Sequence, residues 1–134
     1  MFASKLKKVL IVSISILLII VLSLPTILHT AGLHPDFKTE RFSFSDKKAL
    51  IIATNHGVLN APGELIGKPT GLFLSELSVP YFRFIESGIS VDIASIRGGI
   101  IPVEPTPYFL RTDEDNAFLK NSELISKLNN SSSI

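Results

Sequence analysis

The sequence predicts an α/β protein, a parallel sheet with its crossover helix, carried behind one membrane-spanning helix. Three observations predict it. An uncharged apolar run fills residues 9–28. Two short strand-like segments, the apolar run Ala49–Ala53 and Val91-Asp92-Ile93-Ala94-Ser95, are each bounded by turn signals. Between them, Thr70 to Gly88 encloses a stretch of helical length. Strand, helix, strand in that order is a βαβ unit, whose crossover is nearly always right-handed.

The 134 residues allow one small domain. With 46% hydrophobic and 19% charged residues the chain is no disordered tail. The absence of cysteine excludes a disulfide framework, a zinc–thiolate site and a thiol nucleophile within this sequence. Net charge is +1, but Lys5, Lys7 and Lys8 contribute +3, so the remaining residues sum to −2. That remainder has no basic patch with interleaved aromatics, and nucleic acid is not an expected partner.

No charged residue occurs between Lys8 and Asp36. Twenty helical residues rise about 30 Å, the thickness of a bilayer's hydrocarbon core. Ser13, Ser15 and Ser23 are tolerable there, because a helical serine hydroxyl bonds back to a carbonyl one turn earlier. Lysines before the run and none directly after it predict a cytoplasmic N-terminus and an extracytoplasmic soluble part. A cleaved signal followed by secretion is the alternative. It would have a shorter apolar core and small residues before the cleavage site, whereas cleavage after Ala31 would put His29 at −3. The expected organisation is a basic cytoplasmic segment (1–8), a signal-anchor (9–28), a linker (29–46) and the α/β part (47–134).

Along that last part, Lys47–Thr54 reads as a strand covered on both faces. Residues 55–69 read as loop, with Pro62-Gly63 and Gly67-Lys68-Pro69 as turn signals. Thr70 is expected to cap a helix starting near Gly71 and ending before Gly88. Arg97-Gly98-Gly99 stops the second strand, and Pro102, Pro105 and Pro107 exclude regular structure up to about Tyr108. A last helix is expected over Asp115–Leu128, with Phe118, Leu119, Leu124, Ile125 and Leu128 as its apolar stripe. Residues 129–133 read as frayed; Asn129-Asn130-Ser131 also matches a glycosylation acceptor, a triplet frequent by chance. Two strands do not complete a doubly wound sheet, so residues 37–134 alone are expected to be poorly soluble or molten.

Ligands of open parallel sheets bind outside the carboxyl ends of the strands. The loops expected there are Asn55-His56-Gly57, Thr70-Gly71 and Ser95–Gly99. None carries a dinucleotide or phosphate-loop fingerprint, and no cofactor is expected. The histidines do not cluster with carboxylates at metal-ligand spacing: His29 and His34 flank the apolar run, and His56 reads as a plain loop residue. Glu76 is the candidate acid. On a helix begun at Gly71 it lies between Leu72 and Phe73, at the margin of the arc holding Leu77, Tyr81 and Phe84. Pro80 offers no N–H to the Glu76 carbonyl. The plainer alternative is an edge carboxylate paired with Arg83 or solvent.

Ala49 to Asn55, then Thr70 to Tyr81 with its Thr-Gly-x5-Glu-x3-Pro-Tyr spacing, resembles the ThiJ/PfpI family. That family includes the parkinsonism-associated deglycase, the glyoxalase III-type proteins and the type-one glutamine-amidotransferase-like proteins. The resemblance continues through Phe84–Ser95, Gly98-Gly99, Pro102 and Pro105, and loosely to Phe118 and Leu128. It implies a flavodoxin-like sandwich with a cysteine nucleophile at a strand-to-helix elbow, followed by a histidine. It also implies a helix glutamate hydrogen-bonded to that thiol, the position on which Glu76 falls. Family members attack small electrophiles such as methylglyoxal, and some are holdases; small aldehydes or glycated groups are the implied substrates, and a homodimer is one assembly allowed. This sequence departs from the pattern in lacking the cysteine and its elbow, so by itself it is expected to be inactive. A non-enzymatic remnant, or a partner-binding or chaperone-like membrane module, is the competing expectation.

Overall fold

The computed structural model describes residues 2–33 and 40–134. His34 and the middle of the expected linker lie outside the described residues. Helix α1 runs Phe2–Thr30. It takes in the basic segment, so Lys5, Lys7 and Lys8 sit on the same helix as the apolar run. None of the apolar window within Lys5–Thr30 is buried. The helix is long and apolar enough to be a membrane span or a signal sequence. Ser23 Oγ donates to the Ile19 carbonyl at 2.8 Å, satisfying the hydroxyl within the helix.

The α/β unit begins before its first strand, because Phe44 N donates to Ser87 O at 2.8 Å. The last residues of the expected linker therefore belong to the domain. Strand β1 (Lys48–Ala53) is followed by a two-stranded ribbon, β2 (Val58–Leu59) with β3 (Lys68–Pro69). Helix α2 (Ser75–Glu86) leads to β4 (Ser90–Ser95), then α3 (Asp113–Lys120), α4 (Ser122–Asn129) and β5 (Ser132–Ser133). The sheet order is β1-β4-β5, all parallel, with Ala49 opposite Val91 and Ile51 opposite Ile93.

Five expectations are corrected. Helix α2 starts at Ser75, not near Gly71, and Thr70 does not cap it. The intervening chain stays extended because Leu72 N donates to Pro102 O and Glu104 N donates to Leu72 O. Gly71 permits that approach: a Cβ there would lie 2.3 Å from the Pro102 oxygen. The same bridge, Leu72 to Val103, puts some regular pairing inside the proline-rich stretch. The expected last helix is two helices. Asn121 leaves the helical region (φ −94, ψ 109) and its side chain accepts from Glu123 N and Leu124 N, capping α4. Residues 55–69 contain the small ribbon, and the tail is paired instead of frayed, Ser132 and Ser133 with β4 and Ser131 with Gly99.

The C-terminal end of α2 is as expected. Gly88 N donates to Ile85 O and Ile89 N to Phe84 O, the paired bonds of a Schellman stop. Leu77 and Tyr81 of α2, Phe118 of α3, and Leu124 and Leu128 of α4 form one core with Ala53, Val91 and Ile93. Ser78 Oγ donates to Asp115 Oδ1 at 2.5 Å, and Asp115 Oδ2 accepts from Thr112 N, so this buried acid is fully bonded.

The strand β1 is covered on one face only. Ala49, Ile51 and Ala53 turn toward the core, while Leu50 and Ile52 are 55% and 54% exposed. Asp92, opposite Leu50, is exposed as well. Parallel strands normally carry cover on both faces. Replacing Leu50 by Lys and Ile52 by Glu together is expected to leave the thermal midpoint almost unchanged, since such surface changes stay within about 0.5 kcal/mol. It should lower the aggregated fraction in light scattering. A large drop in midpoint would show that the face is covered.

Candidate functional site

The carboxyl ends of β1 and β4 are tied together by one side chain. The Asn55 amide nitrogen lies 2.9 Å from Ser95 Oγ, 3.1 Å from Gly98 O and 2.9 Å from Ile100 O. Its Oδ1 accepts from Arg97 N at 2.8 Å. Every polar atom of the amide is engaged, so Asn55 fixes the 95–100 turn and is not free for chemistry. Ser95 is fully buried and its Oγ is 2.7 Å from Ser131 Oγ, which in turn donates to Gly99 O at 2.7 Å. The hydroxyls form a directional chain: Asn55 donates to Ser95, Ser95 to Ser131 and Ser131 to Gly99. Ser95 is thereby a structural hydroxyl, with no base beside it.

The three loops expected at this end do come together. Thr70 N donates to Gly57 O at 3.0 Å, and a Cβ on Gly57 would meet Pro102 at 3.0 Å. His56 is exposed, with its backbone N–H bonded to Thr54 Oγ1. Ser131 was not foreseen; a serine inside a serine-rich tail carries no periodic signal.

Glu76 lies in the first turn of α2, the turn that faces the carboxyl end of the parallel strands. Its side chain is exposed, not at a buried margin. The reason is the later helix start. The buried face is set by Leu74, Leu77, Ser78 and Tyr81, and at 100° per residue Glu76 stands roughly 150° from its centre. The expected partner is also absent: Arg83 pairs with Glu86 at 2.9 Å and with Glu114 at 3.5 Å. Among the described residues no hydrogen bond or ion pair holds the Glu76 carboxylate, and no three His, Cys, Asp or Glu residues gather as a metal site. Glu76 is thus near the loop cluster by topology but is not bonded into it.

No protein-family model matches the chain, and no curated protein does. Solved structures similar to the chain include two that are about a third identical to it over the matched residues. One is the Rapid Encystment Protein 24 kDa (REP24) of Francisella tularensis, at 35% identity over 65% of this chain with a TM-score of 0.53. The other, APC35852, is 30% identical over 67% of this chain with a TM-score of 0.49. The chain spans 37% of the REP24 chain and 35% of APC35852.

Proposed function

We propose that this is a membrane-anchored protein of the ThiJ/PfpI type, its flavodoxin-like sheet completed by polypeptide beyond these 134 residues. In this reading α1 is an uncleaved anchor with a cytoplasmic N-terminus, and the α/β unit lies outside. Glu76 is the acid partner of a cysteine thiol that the completing polypeptide supplies. The observation that carries the reading is the Glu76 carboxylate: exposed, unbonded among the described residues, and in the first turn of the helix after β1. The bare β1 face supports the incomplete sheet, as does the chain's spanning 37% of REP24.

The chemistry follows from the residue types. A carboxylate beside a thiol takes the S–H proton, hydrogen-bonds the thiolate as the acid, and passes that proton to the aldehyde oxygen as the C–S bond forms and the C=O π bond opens. Glu76 needs freedom to do this, and a carboxylate locked in an ion pair would lack it. This chain holds the acid and not the nucleophile, so it has no such turnover alone.

The test has two steps. The nucleotide sequence past the Ile134 codon is read in all frames for a Gly-x-Cys-His-like elbow. Where one is found, Glu76→Gln in the complete protein is expected to slow methylglyoxal turnover by about 100-fold or more. Unchanged kinetics would remove Glu76 from the reaction. A downstream tract without an elbow would favour the second reading, a non-enzymatic partner-binding module, for which the exposed Leu50 and Ile52 speak.

A further inference from the structure

We propose that the tip of the β2–β3 ribbon is a second membrane contact, inserting Leu65 and Ile66 at the headgroup–acyl boundary of the bilayer. This rests on the anchored reading of α1. Leu65 is 94% exposed and Ile66 86%, more than any large apolar residue of α1. Adjacent aliphatic side chains held this far into water are costly unless something covers them.

The backbone is built to hold them out. Glu64 N donates to Ala61 O at 3.0 Å, closing a turn with Pro62 and Gly63 at its centre. Gly63 has φ +87, which suits proline followed by glycine in a type II turn. The Asn60 amide donates to the Glu64 carbonyl across the same turn. Gly67 sits against Leu59, where a Cβ would fall 2.0 Å from the Leu59 oxygen. Between these two fixed points, Leu65 and Ile66 have no route back to the core. Leu59, 64% exposed, lies at the foot of the same finger.

A bilayer fits this shape better than a protein does. A stable protein interface needs roughly 800 Å² from each partner, more than a two-residue tip presents. A lipid phase has no shape to match and takes a narrow aliphatic finger readily. The partner is also at hand: residues 31–47 between α1 and β1 extend to at most about 60 Å. A unit tethered that closely meets the bilayer surface at high effective concentration. Lys68 at the foot of the ribbon offers an anionic lipid headgroup a cation, and Glu64 beside the tip sets a limit on insertion depth.

These 134 residues hold no cysteine, so a single label can be placed within them once any cysteine of the completing polypeptide is replaced by serine. Leu65→Cys, Ile16→Cys and Glu123→Cys are each labelled with an environment-sensitive fluorophore in the full chain. Each is placed in phosphatidylcholine/phosphatidylglycerol vesicles containing spin-labelled lipid. Positions 65 and 16 should be quenched, position 65 roughly twofold more by a shallow than by a deep spin label, and position 123 should not be. Quenching at 16 without quenching at 65 overturns the inference and leaves the anchor standing. No quenching at either position removes the anchored reading and the inference with it. Blue-shifted emission at 65 that lipid spin labels do not quench assigns the tip to a protein contact and also overturns it. Ile66→Cys repeats the measurement at a second fully accessible site.

Discussion

Replacing Phe118 by alanine is expected to cost about 3–5 kcal/mol, a large part of the total stability of a domain this small. Phe118 is fully buried and is the only buried apolar residue of α3. Its ring meets Tyr81 edge-to-face at 5.8 Å, with an interplanar angle of 83°. The other buried residue of α3, Asp115, is already committed to Thr112 and Ser78. Without the phenyl ring, α3 has a polar attachment to α2 and no apolar one. The cavity would open between α2, α3 and α4, where three helices set its walls and collapse is hindered. Near-UV circular dichroism of Tyr81 during urea unfolding of the full chain in micelles is the readout. Phe118→Leu, which keeps most of the volume, should lose only about 1–2 kcal/mol. A loss below about 1 kcal/mol for the alanine variant would show that α3 is held by its capping and polar bonds alone.

What the sequence disclosed about this fold depended on the kind of signal each element left. The run at 9–28 and the strand at Ala49–Ala53 were legible because consecutive apolar residues between turn signals have few other uses, and Val91–Ser95, broken by Asp92, was legible from the turn signals on either side. Gly88 marked the end of α2 for a local reason, the Schellman stop. The start of α2 was not legible, because what keeps Leu72 extended is a bridge to Val103, 31 positions along the chain. That error carried over to Glu76. Counting Leu72 and Phe73 as helical put the carboxylate beside the apolar arc, whereas a helix begun at Ser75 turns it to the opposite side. The break at Asn121 was missed because one side chain cap outweighed a continuous apolar stripe. Strand β5 left no signal at all: it is serine, and its pairing with Ala94 and Ser95 is backbone chemistry. The site shows the same division. The loops at the carboxyl ends of the strands were placed by topology alone, but the hydroxyl chain that ties them depends on which atoms face each other.

Asn55→Asp is expected to cost about 2–4 kcal/mol at neutral pH, although the side chains have nearly the same shape. The amide nitrogen donates to three oxygens, those of Ser95 Oγ, Gly98 and Ile100, with its two hydrogens shared among them. A carboxylate oxygen in that place loses donations worth about 0.5–1.5 kcal/mol each and faces two carbonyl oxygens instead. The bond from Arg97 N survives, because that oxygen is an acceptor in both residues. Ser95 cannot repair the damage without cost elsewhere. If its hydroxyl turned to donate to the new carboxylate, Ser131 would have to donate to Ser95 and withdraw its hydrogen from Gly99 O. One change of donor to acceptor thus propagates through four residues to the turn that closes β5 onto β4. The pH dependence separates this account from simple loss of packing. A carboxyl among acceptors is favoured in its protonated form, which restores a donor, so its folded pKa lies above the unfolded value near 3.9. The stability it retains is present below the unfolded pKa and is lost as pH rises through the folded one. The deficit relative to Asn55 should therefore shrink as pH falls from about 7 toward 4. Urea midpoints across that range, with amide exchange at Gly98 and Gly99 as the local readout, test it. A deficit independent of pH would mean that the 95–100 turn is held by its backbone and not by the Asn55 amide.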